Sequence, residues 1–523
     1  MKPKYSFIDN PIIIYLFFFI IFLLSLTSNF TGPHDSMTYL QMLRTREHLW
    51  HPHHLLYHQL SYYWLHLLKP VFPGLPDYFL VESFSSVFGA GTITVVYLFF
   101  RNRFNLPTLT CWLGCAIVAF SYGIWFYSIN VEVYAPSLFL TICCLYILAK
   151  KEWSARDVWL AAFLHSFAIL FHQMNILFTP IVLYKIIEQR KNIFVLKSIF
   201  WYALTGLVLV GGVYVLAGRF GEGHRDLESW ITWIRGYTTS DEYWRSLSMK
   251  TPVMAGVGFT HTILGGHFLF RMGLERWFTS LLHSHSLQDE MFLVKDMPQS
   301  VGVLMFVLTI LLVALTVFLL FRFISRIRSL IKTEYYIIVP LILYFLIYSC
   351  YFLFWMPEIL EFWLGQCVVF WLLLIGTYQP AGRRLNLVLA LILALLLIIN
   401  YTSSIRPMEN INNDIGYARI QKVKQAATAN DLVIVQDPWL LKEFLEYYTP
   451  AQVARVPEKK EQVDSLQQQI RQRLESGNKV FLFPSEPGPH ASRNYEFIPA
   501  VLNEYKNRST LLQKEMAEVW ELK

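Results

Sequence analysis

Eleven apolar runs, with lysine and arginine clustered in alternate connections between them, constrain this chain more than any other feature. They span 11–26, 79–100, 106–129, 133–149, 158–171, 175–187, 199–216, 301–321, 335–354, 362–378 and 385–401. At 1.5 Å per residue, most are long enough as helices to cross a hydrocarbon layer about 30 Å thick. Apolar residues make up 55% of the chain and charged residues 15%, against roughly 45–50% and 25% in soluble proteins. A soluble globule could not hide so much apolar surface. The expected fold class is therefore mainly α, a polytopic membrane protein of about 11 transmembrane helices. Disordered, collagen-like and disulfide-scaffold classes are excluded.

Positive charge sets the expected orientation. With a cytoplasmic N-terminus, the inner connections hold Arg101 and Arg103, then Lys150, Lys151 and Arg156, then Lys185, Arg190 and Lys191. Arg322, Arg326, Arg328 and Lys332 follow, then Arg383 and Arg384. Each is a basic cluster, as cytoplasmic loops should be. The first run lacks a small-x-small cleavage site, so it reads as a retained anchor. The stretch 158–187 reads as two short helices meeting near His172, because one long helix would reverse every later loop. The outer side then receives 29–78, 129–132, 171–175, 217–300, 355–361 and everything after 401. The net charge of +7 follows from these loops and does not argue for nucleic acid. The six cysteines, Cys111, Cys115, Cys143, Cys144, Cys350 and Cys367, lie in or beside apolar runs and read as buried free thiols.

The chain divides at 401. Residues 1–401 form the membrane domain, with long outer loops 29–78 and 217–300. Residues 402–523 read as an extracytoplasmic α/β domain. There, 432–435, 453–456 and 480–483 read as strands, and 439–448 and 459–475 as helices, which suggests a mostly parallel sheet. Asp437 and Glu486, just past strand ends, read as ordinary loop acids because no glycine-rich loop accompanies them.

The chemistry-bearing residues collect on the outer side. The first loop runs Gly32-Pro33-His34-Asp35-Ser36, then through Arg44 and Arg46 to Trp50-His51-Pro52-His53-His54-Leu55-Leu56-Tyr57-His58. Asp35 either caps the following helix or takes a proton from an attacking hydroxyl. Arg44 and the imidazoles His51, His53 and His54 suit a phosphate. They also leave a divalent metal open, although their spacing matches no familiar zinc motif. Glu132, in Asn130-Val131-Glu132-Val133-Tyr134-Ala135-Pro136, is a second acid at the same depth. His172, and the pair Glu358 and Glu361, occupy further outer turns. The loop 217–300 interleaves cations, among them Arg271 and Arg276, with Trp230, Trp233 and Trp244 and with His261, His267, His283 and His285. That mixture suits either an amphiphile with an anionic head or helices lying on the membrane.

Asp35-Ser36, His51-Pro52 with Leu55-Leu56-Tyr57, and Glu132-Val133-Tyr134-Ala135 resemble the bacterial protein O-mannosyltransferase-like group of the GT-C superfamily of membrane glycosyltransferases. The motifs lie in about the first 180 residues, and beyond them the likeness is architectural. The chain departs from the group at His53-His54, where a Pro-Gly pair is usual. It also lacks an Asp-x-Asp or Glu-x-Asp in the first loop, so neither a metal role nor the acceptor is fixed.

The resemblance implies a multi-pass protein of the plasma (inner) membrane. It would invert the anomeric centre while moving a sugar from a polyprenyl-phosphate donor to an acceptor hydroxyl on protein, glycan or lipid. It implies Asp35 as the base and Glu132 as a residue orienting sugar or acceptor. Arg44 and His51 would face the donor phosphate. His53, His54, Tyr57, Tyr134, His172, Glu358, Glu361, Arg271 and Arg276 are further candidate substrate contacts. The competing class is a transporter or flippase of a lipid-linked substrate. It would need ionisable groups inside the membrane and paired halves, and the chain offers mainly Glu82 and no halves.

Overall fold

The computed structural model describes residues 7–239, 243–281, 287–378, 382–436, 440–457, 460–484, 496–514 and 516–523. Asp437, Glu486, His283, His285, Trp439 and Lys459 lie outside the described residues. The chain forms two compact units. The first comprises Met1–Thr27, Arg46–Leu287 and Val294–Glu409; the second comprises Ser28–Thr45, Gln288–Leu293 and Asn410–Lys523. The second unit therefore joins Ser28–Thr45 and Gln288–Leu293 to a C-terminal share that begins at Asn410.

The first unit is helical. Among the described residues, five helices are long and apolar enough to cross a bilayer: Asp77–Arg103, Val195–Gly221, Gln299–Thr333, Tyr335–Phe352 and Arg383–Met408. The most apolar stretches of Val195–Gly221 and Gln299–Thr333 are only 11% and 17% buried. Greasy surface so open to its surroundings requires lipid, and the protein is integral to a membrane. The other apolar runs also fold as helices, but shorter ones, such as Pro11–Leu24, Tyr134–Leu148 and Leu360–Gly376. Counting apolar runs thus gives more spans than helix length and composition establish.

The run 106–129 is broken rather than straight. Thr108–Ala119 and Tyr122–Ser128 meet at 73°. Backbone freed at such a break needs an internal partner in an apolar surrounding. Asn400 supplies it, donating from Nδ2 to the carbonyls of Phe120 and Ile263, both at 2.9 Å. Its Oδ1 accepts from the amide of Gly265 at 3.0 Å. The stretch 158–187 forms two helical segments, Ala155–Phe171 and Thr179–Glu188, joined through a 3-10 turn that starts after His172. His172 is extended, and its Nδ1 accepts from the amide of Met174 at 3.3 Å. All six cysteines are free, although Cys143 is half-buried and Cys350 exposed.

The second unit holds a five-stranded sheet of strands β1 (Leu432–Val435), β2 (Gln452–Arg455), β3 (Val480–Phe483), β4 (Ser509–Gln513) and β5 (Val519–Leu522). Their order is β2-β1-β3-β5-β4. The first three strands are mutually parallel, whereas β5 runs antiparallel to both β3 and β4. The sheet is mixed, not mostly parallel: a C-terminal hairpin, with β5 largely buried and β4 half-exposed, adds an antiparallel edge. Leu432, Ile434, Leu482, Ile470 and Phe497 form part of the core beneath it.

Candidate functional site

In the first unit, the helix Leu55–Leu68 buries Leu55, Tyr57, His58, Ser61 and Leu65, while Leu60, Tyr63 and Leu67 face outward. The outward face is itself largely apolar, and the buried face carries the polar His58 and Ser61. The segment before it gathers imidazoles. His51 and His54 stack at 5.3 Å with ring planes 13° apart. His53 lies 5.4 Å from His51, and His58 6.4 Å from His54. Gly236, at φ +47°, passes so close that a Cβ there would meet His53 Nε2 at 2.5 Å. Glycine is thus required both for the backbone angle and for the approach.

The cluster continues across elements distant in sequence. His54 meets His172 at 4.8 Å, and His172 meets Tyr134 at 5.4 Å. The Tyr134 hydroxyl donates to Glu361 Oε1 at 2.6 Å, and the Tyr127 hydroxyl donates to Oε2 at 2.9 Å. Glu132 is buried, with Oε2 accepting from the amide of Val133 at 3.3 Å. The turn itself is held by its neighbour: Asn130 accepts from the Thr27 hydroxyl at 2.9 Å and donates to the Phe126 carbonyl at 2.8 Å. Burial, and next the charge of Glu132, hold the Tyr57 hydroxyl well above its ordinary pKa, with Glu82 adding to the effect. Contacts thus link His51, His53, His54, His58, His172, Tyr57, Glu132, Tyr134 and Glu361 into one largely buried polar cluster.

Burial lowers His51 and His53 to about 4, with His51 lowered further by His53. It lowers His58 and His172 to about 3, and holds His54 well below its usual value, helped by the neighbouring imidazoles. At neutral pH these rings are uncharged, so they offer hydrogen bonds rather than the cationic clamp expected from the sequence. Among the described residues, no group of three or more histidine, cysteine or acidic side chains is arranged to hold a metal ion.

Other expected contacts lie elsewhere. Glu358 is buried and paired with Arg245 at 3.2 Å. Arg271 Nε donates to the Met297 carbonyl at 2.8 Å, and Arg276 is exposed on the helix Glu275–Leu281. Tyr127 and Arg245 were not among the sequence candidates. Tyr127 sits inside an apolar run with nothing local to mark it, and Arg245 was one cation among several in a long loop.

The second unit carries Asp35 and Arg44. Asp35 is solvent-exposed, and Oδ2 accepts from the Tyr39 hydroxyl at 3.1 Å. Crowding by surrounding protein raises its carboxyl above the ordinary range, opposed by His34 and by the Tyr39 bond. The Asp35 carbonyl accepts from the Tyr39 amide at 2.9 Å, at the start of the helix Ser36–Thr45. Arg44 sits 4.6 Å from the centre of the Tyr447 ring, and its Nη1 donates to the Tyr447 carbonyl at 3.4 Å.

Residues 65–193 match the family model described as the protein O-mannosyl-transferase TMEM260 N-terminal domain. That segment contains Glu132, Tyr134 and His172. No curated relative matches the chain. Crystal structures of ArnT from Cupriavidus metallidurans, in the apo state and bound to undecaprenyl phosphate, each share the fold. The TM-score is 0.57 at 9% sequence identity, over 98% of this chain and 97% of that one. Residues 65–193 are thus similar to that O-mannosyl-transferase domain, and the chain as a whole shares the fold of ArnT.

Proposed function

We propose that the chain is an inverting glycosyltransferase that moves a sugar from a polyprenyl-phosphate donor to an acceptor hydroxyl on the extracytoplasmic face. The observation that supports this reading is the buried polar cluster of the first unit. Four separate stretches, 51–58, 127–134, His172 and Glu361, bring imidazole, phenol and carboxylate together. A protein of this class has little other reason to bury such groups side by side.

The chemistry assigns each group a role. Asp35 accepts the proton as the acceptor oxygen attacks the anomeric carbon. The bond from that carbon to the phosphate oxygen breaks, and the polyprenyl phosphate departs with the electron pair. In-line displacement inverts the centre. The neutral imidazoles donate hydrogen bonds to the developing phosphate charge, and such fixed donors are worth most where water is scarce. Glu132 and Glu361 accept from sugar hydroxyls, and Tyr57 and Tyr134 hold them in place. Acceptors of three classes fit this scheme: protein serine or threonine, glycan and lipid. No step is assigned to a metal.

The test is incubation of the purified protein with labelled polyprenyl-phosphate hexoses, followed by mass spectrometry. Label moved to peptide, glycan or lipid supports transfer. Label left on the donor with every acceptor class contradicts it.

A further inference from the structure

The second unit anchors the segment that carries Asp35 more firmly than a helix cap requires. Asp414 is fully buried and caps the helix Ile415–Ala426, with Oδ1 accepting from the Tyr417 amide at 3.0 Å. A cap needs little more than that bond. Yet Oδ1 also accepts from the Thr31 hydroxyl at 2.6 Å, and Oδ2 accepts from the amides of Phe30 at 2.6 Å and Thr31 at 2.9 Å. The Thr31 hydroxyl oxygen in turn accepts from the Gly416 amide at 3.1 Å. Phe30 is itself fully buried. A Cβ on Gly416 would stand 2.8 Å from Thr31 Oγ1 and 2.6 Å from the Phe444 ring.

From Thr31 the chain reaches Asp35 through a tight turn. The His34 amide donates to the Thr31 carbonyl at 3.1 Å, and the Asp35 amide donates to the Pro33 carbonyl at 2.6 Å. His34 takes a left-handed backbone angle of +58° and lies 4.0 Å from Asp289. Beyond Asp35, the helix Ser36–Thr45 buries Met37, Leu40 and Leu43 and ends where Arg44 meets Tyr447. Asp35 thus hangs between two anchors, both supplied by the C-terminal region.

We propose that Asp414 is a positioning residue for Asp35, which makes the C-terminal α/β domain part of the transfer machinery. This rests on the reading of Asp35 as the base. A charged carboxylate accepting four hydrogen bonds out of solvent fixes its donors closely, and an acid that must meet a hydroxyl tolerates little misplacement. The titratable groups in contact with the Asp35 turn within this unit include His34 and Tyr39 on its own segment and, through His34, Asp289 on Gln288–Leu293, where Asp289 adjoins Glu290.

The experiment compares Asp414→Asn, Thr31→Val and Thr31→Ser in the full chain, each assayed with labelled polyprenyl-phosphate hexose across pH. Asp414→Asn and Thr31→Val should lower kcat at least tenfold, with the donor KM within twofold of the parent. The acidic limb of the kcat profile should move to lower pH, because a released Asp35 loses the crowding that raises its carboxyl. Thr31→Ser keeps the hydroxyl and should restore activity. Thr31→Val removes one bond of the four, and is the variant to read if Asp414→Asn does not fold. Parental kcat in Thr31→Val, or a loss with the acidic limb unmoved, overturns the proposal. Asp35→Asn is assayed alongside: activity there defeats the base assignment itself, whereas an inactive Asp35→Asn beside a fully active Thr31→Val defeats only the role of Asp414.

Discussion

Tyr134 donates its hydroxyl to Glu361 at 2.6 Å, across 227 residues of sequence. A hydrogen bond to a charged acceptor is worth about 1.5–3 kcal/mol. Tyr127 holds the other oxygen of the same carboxylate, so the acid is fixed in orientation. Tyr134→Phe should therefore lower kcat/KM roughly ten- to a hundredfold while leaving purified yield unchanged. Glu361→Gln should do the same. Steady-state transfer assays check both, and parental kcat/KM in either variant would remove the pair from substrate binding.

Glu358 is held differently. Its side chain is 1% exposed and faces Arg245 at 3.2 Å. Glu358→Gln removes the charge that balances a guanidinium only 26% exposed, at a cost of roughly 1–3 kcal/mol. The expected result is a lower Tm with turnover per folded molecule within about threefold. A thermal melt and an assay on the same preparation decide it. Unchanged Tm with lost turnover would return Glu358 to the substrate.

The histidine cluster predicts acid sensitivity. Folding depresses His51 and His53 to about 4 and His58 and His172 to about 3, whereas in an unfolded chain each titrates near 6.5. Between those values the unfolded chain binds protons that the folded one refuses, so stability rises with pH in that window. Stability should be full above about pH 7 and fall steadily from about pH 6.5 towards 4. The double variant His54→Asn, His172→Asn should flatten the fall. A Tm that stays level from pH 7 to pH 5 in the parent would contradict the neutral, buried assignment.

The outer placement of the C-terminal domain is checked by a single thiol. Asn430 is exposed. Asn430→Cys, in a background lacking the other cysteines, should react with an impermeant maleimide added to intact cells. Labelling only after permeabilisation would reverse the orientation read from the basic loops.

Much of this architecture is legible in the residues, for physical reasons. Apolar runs must become helices in lipid, because no other local structure satisfies their backbone. The break at His172 followed from charge on either side of it. The strands β1 and β3 are legible as continuous apolar stretches and β2 as the valine-bearing run beside them, while β4 and β5 are not, because Lys514 and Glu518 break up a short hairpin whose outer strand is half-exposed. The imidazole cluster could be listed from 51–58, but its neutral state could not, since that depends on burial by His172 and Gly236 from distant elements. Neither could the hold of Asp414 on Thr31, a contact across 383 residues that no local pattern encodes.

The central claim is that Asp35 removes the acceptor proton. The direct measurement is single-turnover transfer by Asp35→Asn, with donor binding followed separately on the same preparation. The account predicts transfer reduced at least a thousandfold, with polyprenyl-phosphate sugar still bound at close to parental affinity. Transfer at the parental rate would contradict it.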